Sequence, residues 1–302
     1  MPSSTKPKPV SVIPIVLTIF TIGGLAIAVE RIYHRPRETM NDLLRLGMLL
    51  SGVREARCNI SGVNMHYYCA GRRGTPMVLI HGLGSSAETW FALMPLLGKE
   101  YLVYAPDLPG FGRTPLAPEG TNIQTHVLYL KRFLDELGYP RVCLVGNSLG
   151  GWIATRFAIE NSERVESLYL LNSAGLRRES MHSPYVEDRR AAKGSLEYML
   201  GFSLPVPAFV LDALVRNSQT PAYKGFIRSY DPREELDVAL ADVQVPTTII
   251  WGERDNLLPL ECAHDFHTGV ANSELILLPH VGHMPQIQTP LKVARIIMRH
   301  LP

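Results

Sequence analysis

VCLVGNSLGGW, residues 142–152, runs an apolar strand pattern into Gly146-Asn147-Ser148-Leu149-Gly150 and on into a helix-period stretch at 149–161. A G-x-S-x-G set at a strand-to-helix turn exposes a strained serine for nucleophilic attack. Glycines two residues either side of Ser148 are needed because side chains there would collide with the neighbouring backbone. The helix opening at Leu149 also aims free N–H groups and its positive end at the serine. Chance matches to the pattern are common but rarely fall at such a turn, so Ser148 reads as a nucleophile.

The same strand-then-helix rhythm extends in both directions. RCNISGVNMHYYCAG (57–71) reads as two strands turning at Ser61-Gly62, and short apolar runs recur at 77–80, 101–107, 165–171, 247–252 and 274–279. Helix-period stretches occupy 87–98, 122–137, 259–270 and 288–300. Short continuous apolar strands alternating with helices predict an α/β domain whose mostly parallel sheet is covered on both faces. The rhythm breaks between 176 and 240, where helical patterns lack a strand. The expected organisation is a core over 56–175, a helical cap over 176–240 and the second part of the core over 241–302. Within the cap, SLEYMLGFSLPVPAFVLDALV (195–215) suits an apolar channel for an acyl chain. The plainer reading is the face any cap buries against its domain.

Three further segments complete a candidate site. His81-Gly82-Leu83-Gly84 follows a strand, and the Leu83 and Leu149 backbone N–H groups are the candidate oxyanion donors. His81 itself reads as a structural residue under the loop. In TTIIWGERDNLLP (247–259), Asp255 is the candidate acid that orients a histidine, with Glu253 as a solvated loop charge. Asp107 also ends a strand but precedes the serine, and reads as a structural turn residue. In LILLPHVGHMPQ (275–286), His283 is the candidate base and His280 its competitor, while His264 and His267 fall inside a helix pattern.

HGLGSS, DLPGFGRT, GNSLGG, WGERD and VGHMP, in that order, resemble the motifs of the α/β-hydrolase-fold serine hydrolases over about residues 60–302. The order Ser148, Asp255, His283 matches that family's triad order. The apolar N-terminal run followed at once by this domain, with NSAGL (172–176) and IIWGERDNLLP (249–259), resembles membrane-anchored monoacylglycerol lipases and related bacterial lipases. Similar segments occur in C–C bond hydrolases of aromatic degradation, which usually carry Trp after the catalytic His where this chain has Met284. The resemblance implies ester hydrolysis through an acyl-enzyme, with no metal or organic cofactor. Its serine nucleophile argues against dehalogenase and epoxide hydrolase chemistry, for which the family uses Asp. C–C or amide hydrolysis by the same triad is the alternative, and a non-catalytic binding protein on this fold is a third reading. Arg177 and Arg178, opening the cap, are candidates to hold a polar head group or product carboxylate, with solvated surface as the alternative.

Composition excludes several other classes. With 46% hydrophobic and 19% charged residues over 302 positions the chain is not intrinsically disordered. A net charge of +2 without a long basic tract gives no footprint for nucleic acid. Four cysteines cannot make a disulfide scaffold. After a tail over 1–9, residues 10–29 (VSVIPIVLTIFTIGGLAIAV) hold no charge and are long enough to span a bilayer core, about 30 Å. A single-pass anchor is the expectation. The alternative is a cleaved signal with a secreted or periplasmic body, Ala26-Ile27-Ala28 offering the small-x-small site. Arg31, Arg35, Arg37 and Arg45 outnumber Lys6 and Lys8, favouring a cytoplasmic body. In the juxtamembrane segment 30–55, ETMNDLLRLGMLLSGV (38–53) has helical apolar spacing and reads as either an interfacial helix or one packed on the domain.

Overall fold

The structure is a computed structural model that describes residues 30–178 and 185–299. Its centre is one eight-stranded sheet of β1 (Arg54–Ile60), β2 (Val63–Ala70), β3 (Pro76–Ile80), β4 (Leu102–Pro106), β5 (Val142–Ser148), β6 (Val165–Ser173), β7 (Thr247–Gly252) and β8 (Ser273–Leu278). The spatial order is β1-β2-β4-β3-β5-β6-β7-β8. β2 runs antiparallel to β1 and β4, and every other pairing is parallel. Ser61 and Gly62, at φ 51° and 87°, turn the β1–β2 hairpin with both central residues left-handed, as a twisted two-residue hairpin requires.

Alternate residues of each central strand feed two separate cores. Val142 and Leu144 of β5 pack with Ile153 and Phe157 of helix Leu149–Glu160 and Phe133 of helix Ile123–Leu137. Cys143 and Val145 pack on the other face with Trp90, Val293 and Ile297, the last two from helix Pro290–Arg299. Burial on both faces is why these strands are continuous apolar runs instead of alternating ones. From β3 the chain steps to β4 on one side and returns to β5 on the other. That reversal leaves a crevice at the carboxyl ends of β3 and β5, where open α/β sheets bind ligands.

Two expectations are refined. The helix expected over 87–98 is a 3-10 turn, Ala87–Trp90, followed by a four-residue helix, Met94–Leu97. Pro95 has no N–H to continue a longer helix and sits in the first turn of the short one. The segment expected at 38–53 is helix Pro36–Leu50, starting on a proline whose missing N–H costs nothing there. The apolar run 10–29, on which the anchor expectation rests, lies outside the described residues. Among the described residues no helix is long and apolar enough to cross a membrane.

Among the described residues, the region between β6 and β7 carries three α-helices, Arg189–Leu200, Ala208–Ser218 and Pro221–Arg228. Asp188 and Thr220 cap the first and third through side-chain acceptors. Beneath them His126 is fully buried, its ring near those of Phe111 and Phe226 at 6.0 and 6.3 Å. Burial, and then the neighbouring His81, push its imidazole down to about 3. The folded chain therefore refuses a proton that the unfolded chain binds below pH about 6.5. Stability is complete above that pH and falls on acidification at up to about 1.4 kcal/mol per pH unit until the folded value is reached. Urea denaturation at pH 7 and pH 5 should show His126→Leu losing up to about 2 kcal/mol less than the wild type between the two. Equal losses would mean that His126 does not carry the acid sensitivity.

Candidate active site

Ser148 closes β5 at φ 55° and ψ −121°, a left-handed backbone that a non-glycine residue holds only under constraint from its surroundings. The constraint is steric. A Cβ on Gly146 would lie 2.3 Å from the Gly150 oxygen, and one on Gly150 only 2.0 Å from the Ile80 oxygen. The glycines let the start of helix Leu149–Glu160 press against the end of β3. That contact brings the loop after β3 to the serine, and a Cβ on Gly82 would sit 3.2 Å from Ser148 Cβ. Leu83, next in that loop, and Leu149, first in the helix, thus flank the same serine.

His81 holds the loop from below. The Leu108 N–H donates to its Nε2 at 3.0 Å, so Nδ1 carries the hydrogen and donates to the Gly82 carbonyl at 2.8 Å. Both ring nitrogens are committed to backbone, which fits the structural reading. Asp107 is likewise buried and accepts from Ala87 N at 2.7 Å, Arg113 N at 2.8 Å and His66 Nδ1 at 2.8 Å. Burial alone would raise its carboxyl; the His66 hydrogen bond, the electrostatic influence of the neighbouring His81 and His66 rings and the Ala87 N–H hold it below the ordinary range.

Asp255 and His283 are both buried, and His283 Nδ1 lies 2.6 Å from Asp255 Oδ2. Leu257 N and Leu258 N donate to Asp255 Oδ1 at 2.9 and 3.0 Å, and Asn172 Nδ2 donates to Oδ2 at 2.7 Å. A carboxylate only accepts, so the Nδ1–Oδ2 contact uses a hydrogen on His283 Nδ1. The competitor His280 sits at the surface with Arg254 Nη2 2.8 Å from its Nδ1. Glu253 is exposed.

Two amides tie these loops together. Asn147 donates from Nδ2 to the carbonyls of Leu171 and His283, at 2.9 and 3.0 Å, and accepts from Gln286 Nε2 at 3.0 Å. Asn172, at φ 42°, accepts from Gly252 N at 3.1 Å while it donates to Asp255.

The sequence profile described as "Alpha/beta hydrolase family" matches residues 77–296, most of the chain. The chain belongs to that family. Among its relatives, the 2-hydroxy-6-oxo-6-(2'-aminophenyl)hexa-2,4-dienoic acid hydrolase of Metapseudomonas resinovorans is 28% identical over 266 residues, covering 80% of this chain and 89% of that one. A meta-cleavage product hydrolase of Pseudomonas fluorescens superposes with TM-score 0.70 at 26% identity over 81% of this chain and 96% of the other. A bacterial membrane phospholipase A superposes with TM-score 0.77 at 24% identity, covering 94% and 96%, a likeness of fold.

The helical cap of this hydrolase is bonded to all three site loops. Gly84 O accepts from Asn217 Nδ2 at 2.9 Å, Tyr198 O from Asn256 N at 3.1 Å and Met199 O from His283 N at 2.6 Å. Arg178 does not project free as a head-group ligand. Its guanidinium is committed to Asp237 and to Asp265, at 2.9 Å through Nε, so it fastens the start of the cap to helix Leu260–Gly269. Arg177 is exposed and stacks over the Tyr230 ring at 5.9 Å. Asn172 opens the NSAGL stretch, but nothing local to it in the sequence gives it a role; it is a polar residue closing an apolar strand. Its removal should act through Asp255. Asn172→Ala is expected to lower kcat roughly 10- to 100-fold with KM within about threefold, the pattern of a group that positions the reacting residues. A change in KM alone would assign it to substrate binding.

Proposed function

We propose that this hydrolase cleaves carboxylic esters with an apolar acyl chain, monoacylglycerols among them, using Ser148, His283 and Asp255. The observations that support this reading are the 2.6 Å Asp255–His283 contact, the 3.0 Å bond from Asn147 to the His283 carbonyl, and the serine next to Asn147 held at φ 55° on the elbow. His283 Nε2 takes the Ser148 proton as Oγ attacks the ester carbonyl, and Asp255 stabilises the imidazolium that forms. The Leu83 and Leu149 N–H groups receive the oxyanion, each worth roughly 2.7–4 kcal/mol of barrier. His283 then passes its proton to the leaving alcohol. Water activated by the same nitrogen releases the acid from the acyl-serine. The apolar cap stretch 195–215 and the uncharged run 10–29 support a lipid-like substrate met at a membrane.

The M. resinovorans and P. fluorescens relatives support a second reading, hydrolysis of a C–C bond in a ring-cleavage product by the same three residues. One assay separates them. p-Nitrophenyl esters of increasing chain length, monoacylglycerols and a 2-hydroxy-6-oxohexa-2,4-dienoate are offered to the wild type. Turnover rising with acyl length supports the ester reading, and turnover of the dienoate alone replaces it.

A further inference from the structure

Helix Pro36–Leu50 is mounted the wrong way round for a surface helix. Met40, Leu43, Leu46 and Leu50 recur at three- and four-residue steps and so form one stripe, yet all four are exposed, Leu50 at 81%. An ordinary amphipathic helix turns that stripe to the core. Here the helix is held from another side, by partly buried Arg45 and buried Met48. Arg45 Nε donates to Glu55 Oε2 at 2.6 Å, Asp42 lies 3.8 Å from Arg113, and Met48 between turns is buried in the core. Glu55 continues to His66 at 3.1 Å and His66 to Asp107, so the helix is fastened to the buried charge network under the loop that follows β3. It cannot roll its leucines inward without breaking these bonds.

The stripe ends at a basic groove. Leu50 is followed by Ser51 and Gly52, which with Arg54, Arg72, Arg73 and Lys99 line an open groove of about 760 Å³. The four cations are exposed, no carboxylate lines the groove, and among the described residues none of the four is in an ion pair. Arginines in this state suit phosphate oxygens. At the other end, the Tyr33 ring meets Phe209 of the cap at 5.8 Å. Six residues separate the uncharged run 10–29 from Pro36, seven steps along the chain and a reach of at most about 25 Å.

We propose that helix Pro36–Leu50 lies along the surface of an anionic bilayer, with its leucine stripe at the acyl boundary and Arg54, Arg72, Arg73 and Lys99 on phosphate head groups. A stripe of apolar side chains beside a cluster of cations is the chemistry of an interfacial helix. The docking places the cap beside the lipid and is independent of which bond the site cleaves.

The test uses the full chain in phosphatidylcholine vesicles with and without phosphatidylglycerol. Trp90, Trp152 and Trp251 are buried, so a Leu50→Trp or Leu43→Trp reporter reads its own surroundings. In phosphatidylglycerol vesicles a spin-labelled lipid with its label near the head group should quench the reporter roughly twofold, and aqueous acrylamide should lose its effect. Adding Arg72→Gln and Arg73→Gln should return quenching to the level seen without phosphatidylglycerol. A reporter that acrylamide still reaches overturns the proposal. So does protection that follows protein concentration without lipid quenching, which would mean that a second copy covers the stripe. Full lipid quenching despite the arginine substitutions overturns the head-group site.

Discussion

Ser148→Ala is expected to lower kcat by roughly four to six orders of magnitude on whichever ester the wild type turns over. In the proposed mechanism the loss is that large because His283 and Asp255 act only through the serine oxygen. Without it the proposed donors at Leu83 and Leu149 would still polarise a bound carbonyl, but nothing would attack it. The substitution removes one hydroxyl from a half-buried position and leaves Gly146 and Gly150 in place, so the thermal midpoint should move by no more than about 2 °C. The variant should also fail to label with a fluorophosphonate. Full ester turnover by a folded Ser148→Ala protein would sink the serine mechanism. A wild type that labels but turns over no ester would keep the mechanism and discard the substrate.

The second large effect is expected from Asp255→Asn, at roughly 10³- to 10⁴-fold in kcat. The reason lies in the donors around the carboxylate. Oδ1 faces the N–H groups of Leu257 and Leu258, and Oδ2 faces Asn172 Nδ2 and His283 Nδ1. An amide supplies one acceptor and one donor, so one side of the new side chain must point hydrogens at hydrogens. If the NH2 faces His283, the ring takes the other tautomer and Nε2 carries the hydrogen it should be free to accept. If it faces the two backbone groups, both are left unpaired in a buried site, at about 1–3 kcal/mol each. Kinetics and urea denaturation on the same preparation distinguish the two. Activity within tenfold of wild type would mean that Asp255 is not the orienting acid.

Much of the fold is readable in the chain because its causes are local. Strands buried on both faces must be apolar throughout, and β5, β6 and β7 fall where 142–146, 165–171 and 247–252 predict them. The elbow is readable because its geometry demands glycine at Gly146 and Gly150, where a Cβ would meet backbone oxygens of Gly150 and Ile80. Asp255 and His283 stand out as strand-end residues in the family's order, and the structure brings their side chains into contact. The break in the helix expected over 87–98 turns on Pro95, whose effect depends on whether the chain continues or restarts there.

What sequence could not supply is whatever depends on residues distant in the chain. Asn172 gains its role only by meeting a carboxylate 83 residues later. Arg178 looked available until Asp237 and Asp265 took it. For helix Pro36–Leu50 the periodicity of the leucines was plain, but periodicity is the same whether a stripe faces in or out. By itself, the sequence determined the strand runs, the glycine-bounded serine and the order of the candidate residues, because backbone sterics and burial act on neighbours. Which way that helix faces was set by long-range contacts, because Glu55 and Arg113, the charges that orient it, lie elsewhere in the fold.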